Sequence, residues 1–265
     1  MVTGAGGGIG RATAALLHSR GARVALLDVR PDRLSECAEQ LTGDAPSVSC
    51  VVDVADRDAV SEAVADVERE LGRPSVLVNS VGWLGPLDRT VWQYDPAEWQ
   101  TVFDVNLNGP VNCVRAVLPR MMQAAPEPCH IVNVASTAGI WAERRAGAYG
   151  AAKHALVAYT ETLEAQLQPI APTIGISLVC PGAVPTNLNL SLRNAGDATE
   201  WRQPEEVAEP IVRAIERGDF YVFTHESTEA RYRAYLSRIF AAFRSADADQ
   251  DSRARVPRTS ASSPL

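Results

Sequence analysis

The chain opens Met1-Val-Thr-Gly-Ala-Gly-Gly-Gly-Ile-Gly10, and a helical pattern at 9–20 follows at once. The fingerprint G-x-G-x-x-G does not fit, because counting from Gly4 its third glycine falls on Ile9. What fits is the wider set Gly4, Gly8 and Gly10, with Ile9 between the last two. Glycines here let the backbone turn tightly and approach a pyrophosphate, whose charge a helix N-terminus favours. A flexible turn is the plainer reading of a glycine run; its place between strand and helix favours a nucleotide. Only Met1, Val2 and Thr3 precede Gly4, whereas a strand ordinarily has about 5–6 residues. The expectation is a central strand that truly starts upstream, the alternative being a stunted, apparently truncated first strand.

Outward from that turn, short β-branched runs alternate with helical patterns. Strands are expected at 23–27, 48–52, 76–79, 130–135, 174–179 and 220–223. Helices are expected near 9–20, 31–41, 56–71, 96–124, 148–168 and 204–217. Such alternation gives a parallel sheet covered by helices on both faces, and strands apolar almost throughout suit that burial. Right-handed crossovers then give one α/β domain, a Rossmann-type doubly wound sheet of about seven strands in the order 3-2-1-4-5-6-7. The domain is expected over 1–244, with a further helix at 226–243 and a disordered tail over 245–265.

Composition narrows the function classes. The net charge of −7 argues against nucleic acid or an anionic membrane as main partner. No apolar run approaches transmembrane length, and none has the basic start and apolar core of a signal peptide. Five scattered cysteines and four scattered histidines suggest neither a disulfide framework nor a metal site. A cytoplasmic protein is the expectation.

Two charged positions stand out. Asp28 ends the second expected strand, eighteen residues after Gly10. A carboxylate there can accept hydrogen bonds from an adenosine ribose and repel a 2′-phosphate, favouring NAD. Arg30, two residues on, keeps NADP possible. The second position is Lys153, the single lysine against twenty-four arginines. It lies four residues after Tyr149, so the two side chains share a helix face. A compact ammonium can enter a pocket that a planar, always-charged guanidinium cannot. A phenol needs such a neighbour to exchange protons near neutrality.

Together these motifs resemble the short-chain dehydrogenase/reductase family. Thr3-Gly-x-x-x-Gly-Ile-Gly10 looks like its cofactor loop and Tyr149-x-x-x-Lys153 like its active-site signature. Ser136, thirteen residues before Tyr149 at a strand end, matches the family's catalytic serine, and Asn106 its fourth catalytic residue. Pro181-Gly182, with Thr186 beyond, resembles the segment that closes over the nicotinamide; Asp53-Val54 matches the pair that contacts adenine. Asn79-Ser80-Val81-Gly82 departs from the usual N-N-A-G at Ser80 but keeps Asn79 and Gly82. The resemblance covers about residues 1–225. It implies hydride transfer between NAD(H) and a secondary alcohol or ketone. Tyr149 would move the proton, Ser136 would hold the substrate oxygen, and Lys153 would lower the tyrosine pKa and bind the nicotinamide ribose. Asn106 would bend its helix and hold a water.

Substrate contacts in this family come from loops that here carry Trp83, Trp141 and Leu188, within a lid segment at 183–203 for the last of these. Leu188, Leu190 and Leu192 suggest a mostly apolar lid. Family members commonly pair through the long helices, here near 96–124 and 148–168, so a homodimer or homotetramer is implied. Leu156, Leu163 and Leu167 would suit such pairing. Two readings compete with the dehydrogenase: an NADPH-dependent carbonyl reductase, and a non-catalytic cofactor-binding sensor or scaffold.

Overall fold

In the computed structural model the described residues are 1–123, 127–186, 188 and 200–254, with side chains to 244. The strands are β1 (Val2–Thr3), β2 (Val24–Asp28), β3 (Ser47–Val51), β4 (Val76–Asn79), β5 (Cys129–Val134), β6 (Ile174–Cys180) and β7 (Tyr221–Phe223). The main helices are α1 (Gly8–Ser19), α2 (Pro31–Glu39), α3 (Arg57–Leu71), α4 (Pro96–Phe103), α5 (Gly109–Met122), α6 (Gly147–Leu167), α7 (Pro204–Arg217) and α8 (Ser227–Ala254).

Alternation inside the strands decides the layering. Val24 and Leu26 enter one apolar cluster, Ala25 and Leu27 the other, as a period of two demands. The same split separates Leu77 from Val78, and Ile131 from Val132 and Val134. Both faces are apolar, so both need cover. Apolar residues of α3, α5 and α6 close one face; those of α1, α2 and α7 close the other. All pairings are parallel, and the order is β3-β2-β1-β4-β5-β6-β7. The chain thus has the doubly wound sheet expected of it.

Central β1 has only two residues, yet both are buried and paired on each side, with Leu26 and Leu27 and with Val78 and Asn79. The Met1 ammonium donates to the Val76 carbonyl at 2.9 Å.

Where one helix was expected at 96–124, there are two. α4 starts at a capping box of Asp95 and Glu98 with Pro96 in its first turn, and a π-helical turn at Asp104–Asn108 separates it from α5. The Asn106 side chain donates to the Val102 carbonyl at 2.8 Å, a local bond that competes with the helical ladder.

One further expectation changes. Leu156, Leu163 and Leu167 are buried in the chain's own apolar clusters, so they are not a face open to a second copy. A compact unit spans Met1–Glu226. The segment after it is a unit of its own, whose helix α8 runs through Ala254. Residues 255–265 lie outside the described residues. No helix among the described residues is long and apolar enough to cross a membrane.

One buried histidine ties the far edge of the sheet. His130 Nε2 donates to Ser177 Oγ at 2.7 Å, and Ser177 Oγ donates to the Asp219 carbonyl at 2.7 Å. Burial pushes the imidazole down to about 4. An unfolded histidine titrates near ~6.5, so the stability held by neutral His130 is complete above that value. It is lost as pH falls toward the folded pKa. Urea unfolding at pH 7.5 and pH 5.0 should show the loss, and His130→Gln should flatten it.

Candidate active site and nucleotide cradle

The turn after β1 is shaped by what its glycines touch. Gly4 has φ of 66°, and an added Cβ would meet the Ser80 carbonyl at 2.9 Å. A Cβ on Gly10 would collide with the Gly4 carbonyl. Gly8 begins α1, and no side chain caps that helix, so its first-turn amides are available to an anion. Ile9 packs into the apolar cluster below. Ser80, the departure from the family pattern, contributes through its backbone: its amide donates to Thr3 Oγ1 at 3.2 Å.

Asp28 sits beside this turn. Its Oδ2 accepts the Gly6 amide and its Oδ1 the Arg30 amide, both at 3.0 Å. The Arg30 guanidinium turns away onto Asp32, with two hydrogen bonds of 3.1 and 2.8 Å. Asp53 Oδ1 accepts the Ala55 amide at 2.9 Å. Val54 is buried, its carbonyl accepting from Asn112 Nδ2 at 3.0 Å. At the end of β4, Asn79 Nδ2 donates to Asn133 Oδ1 at 2.9 Å, and Asn79 Oδ1 is buried without a partner. Gly82 faces Asn106 Oδ1 and a methyl of Leu188. A tight glycine turn, a helix start without a side-chain cap and an adjacent carboxylate together fit the pyrophosphate and ribose of a dinucleotide.

The proton-handling residues come from three neighbouring elements. Ser136 leaves β5 and caps a short 3-10 turn, its Oγ accepting the Ala138 amide at 3.1 Å. Tyr149 and Lys153 lie one turn apart at the start of α6, both buried. Lys153 Nζ donates to the Val134 carbonyl at 2.9 Å and lies 5.7 Å from the Tyr149 ring centre. Burial pushes the Tyr149 phenol up to about 12, while its hydrogen bond with Ser136 lowers it. Burial pushes Lys153 down to about 7. Burial outweighs the Ser136 hydroxyl, so the phenol is held in its protonated form in this arrangement.

Asn106 is fully buried at the π turn. Its Nδ2 donates to the Trp83 carbonyl at 2.7 Å, and its Oδ1 accepts the Trp83 amide at 3.2 Å. It therefore clamps the loop after β4 as well as bending its helix. Among the residues expected at the substrate, Trp83 is partly exposed on that clamped loop. Trp141 is buried, its indole donating to Glu143 Oε1 at 2.6 Å, and Leu188 faces Gly82. The segment at 183–203 is drawn together at its base, where Ala183 bridges Trp201; Leu190 and Leu192 lie outside the described residues. Sequence reasoning missed the Asn106 clamp and the buried polar series Asn79–Asn133–Thr160; neither has a local spacing signal.

The sequence pattern of the short chain dehydrogenases matches residues 1–197. This chain belongs to that family. Among its relatives, a 1-deoxy-11-beta-hydroxypentalenate dehydrogenase of Streptomyces avermitilis is 34% identical over 235 residues, 87% of this chain and 86% of that one. A short chain dehydrogenase/reductase of Burkholderia phymatum, solved in complex with NAD, superposes with a TM-score of 0.82 at 29% identity. It covers 91% of this chain and 93% of its own. A 3-oxoacyl-[acyl-carrier protein] reductase of Brucella melitensis with bound NAD gives 0.72 at 30% identity, over 83% and 87%. The short chain dehydrogenase is thus an oxidoreductase by family.

Proposed function

We propose that this short chain dehydrogenase transfers a hydride between NAD(H) and a secondary alcohol or its ketone. The observation that carries this reading is the gathering of Ser136, Tyr149 and Lys153 at the end of β5 and the start of α6, with Lys153 Nζ 5.7 Å from the Tyr149 ring centre and β4 alone between β5 and β1, whose end carries the glycine turn. When bound, the nicotinamide would supply or accept the hydride. Ser136 fixes the substrate oxygen by donating to it. Tyr149 gives that oxygen a proton in reduction and removes one in oxidation. Lys153, anchored on the Val134 carbonyl, keeps two N–H groups for the nicotinamide ribose and, when protonated, favours the phenolate. Asn106 holds the loop carrying Trp83. Gly4, Gly8, Ile9 and Gly10 cradle the pyrophosphate, Asp28 binds the ribose, and Asp53 and Val54 border the adenine. Asn79 and Gly82 form the wall beside the cofactor, and Pro181, Gly182 and Thr186 its cover. The relative named for dehydrogenation of a hydroxypentalenate supports a CH–OH substrate. Five free cysteines suit a reducing compartment such as the cytoplasm.

Asp28 engaging the glycine turn and Arg30 engaging Asp32 favour NAD. One observation keeps NADPH as second reading: a cleft of about 700 Å3 beside Gly7 and Gly8 is bordered by Arg33, together with Arg11 and Arg30, which pair with Glu36 and Asp32 of the same lining, and with Glu205 and Glu209. Asp28→Asn separates the two. It should weaken NADH binding about tenfold, the worth of one charge-assisted hydrogen bond, and narrow the gap to NADPH. Unchanged NADH affinity would remove Asp28 from the site.

A further inference from the structure

Beneath Pro181–Gly182 lies a histidine that the mechanism above does not use. His225 follows β7 and is 6% exposed. Its Nδ1 accepts the Gly182 amide at 3.0 Å, with the Thr224 hydroxyl 2.9 Å from the same nitrogen. With Nδ1 accepting, the ring proton sits on Nε2, which donates to the Ala183 carbonyl at 3.0 Å. The ring also packs on the Gly182 α-carbon: a Cβ there would meet His225 Cγ and Cδ2 at 2.8 Å. One imidazole thus grips two consecutive residues from both of its nitrogens and its face.

Those two residues are connected further. The Ala183 carbonyl also accepts the Arg202 amide at 3.1 Å, where Ala183 bridges Trp201. On the other side, the Pro181 carbonyl accepts the Thr137 amide at 2.9 Å, and Thr137 directly follows Ser136. A continuous hydrogen-bonded path therefore runs from the Ser136 turn, through the Pro181–Ala183 backbone, to His225. Asparagine could replace only the Nδ1 acceptor and glutamine only the Nε2 donor, so neither spans both contacts as the ring does.

We propose that His225 is a positioning residue that fixes the Pro181–Ala183 backbone against the Ser136 turn, and so sets the surface that meets the nicotinamide half of bound NADH. This rests on the nicotinamide reading given above. His225 touches no reacting group; its effect passes through the backbone it holds.

The test compares NADH with ADP, which carries only the adenosine and phosphate half, by calorimetric titration of the full chain. In His225→Ala the NADH Kd should rise about tenfold, the scale of one or two lost hydrogen bonds. The ADP Kd should stay within about twofold, well inside the scale of a single lost hydrogen bond. The KM for NADH should rise in parallel. His225→Gln, which retains the donor to Ala183, should recover part of the loss, and it carries the test should the alanine variant fail to fold. NADH and ADP affinities falling together, or neither falling, would overturn the positioning role. Failure of the wild-type chain to bind NADH at all would instead overturn the proposed function.

Discussion

Replacing Tyr149 by phenylalanine lowers turnover by about 10²–10⁴-fold, the usual contribution of a positioned proton donor, and leaves the NADH Kd unchanged. The aromatic ring is retained, so the buried cluster of Ala138, Ala146, Ala148 and Ala152 around it keeps its packing. Only the hydroxyl is lost. The pH dependence has a definite sign. Burial holds the phenol protonated, with its pKa pushed up to about 12. Tyr149 is then a ready proton donor at neutral pH and ketone reduction stays flat there. Alcohol oxidation needs the phenolate, whose share grows as pH rises, so its rate should climb through the alkaline range. Steady-state rates in both directions from pH 6 to 10, with the variant alongside, check both statements. A Phe variant that keeps wild-type turnover would remove Tyr149 from the chemistry.

Lys153→Arg should be nearly as damaging, although it preserves formal charge. The site holds one ammonium, 2% exposed, against the Val134 carbonyl. Burial pushes that amine down to about 7, so it can be neutral for part of the time. A guanidinium remains charged and is wider and planar. Forced into this space it displaces the start of α6, and a displacement on the order of 1 Å at reacting groups costs about 10²-fold in rate. The expected result is a kcat fall of at least that size with a lower melting temperature. Lys153→Met, similar in volume and uncharged, should fold better and be equally inactive. An active arginine variant would show that charge alone is required.

Much of the molecule was legible because its signals are local. The glycine turn, the four-residue step from Tyr149 to Lys153 and the position of Ser136 at a strand end are all readable along one stretch of chain. Apolar strands flanked by helical periods gave the doubly wound sheet for the same reason. What was not legible depends on distant partners. The π turn at Asp104–Asn108 exists with Asn106 clamping Trp83, 23 residues away in sequence. The periodicity of α6 marked Leu156, Leu163 and Leu167 as one apolar face without saying that the chain's own core covers it. That the Tyr149 phenol is pushed up to about 12 follows from burial that no spacing records. His225 carries no motif at all; its contacts arise because β7 ends beside the segment that follows β6.

The central claim is that this cradle binds NAD(H) and presents it to Tyr149. Parallel titrations of the purified chain with NADH and NADPH, followed by nucleotide fluorescence, test it most directly. The account predicts saturable NADH binding at least about tenfold tighter than NADPH, the repulsion of a 2′-phosphate by Asp28 being worth roughly 1.4 kcal/mol or more. Tighter binding of NADPH would contradict the role of Asp28, and binding of neither would contradict the dehydrogenase itself.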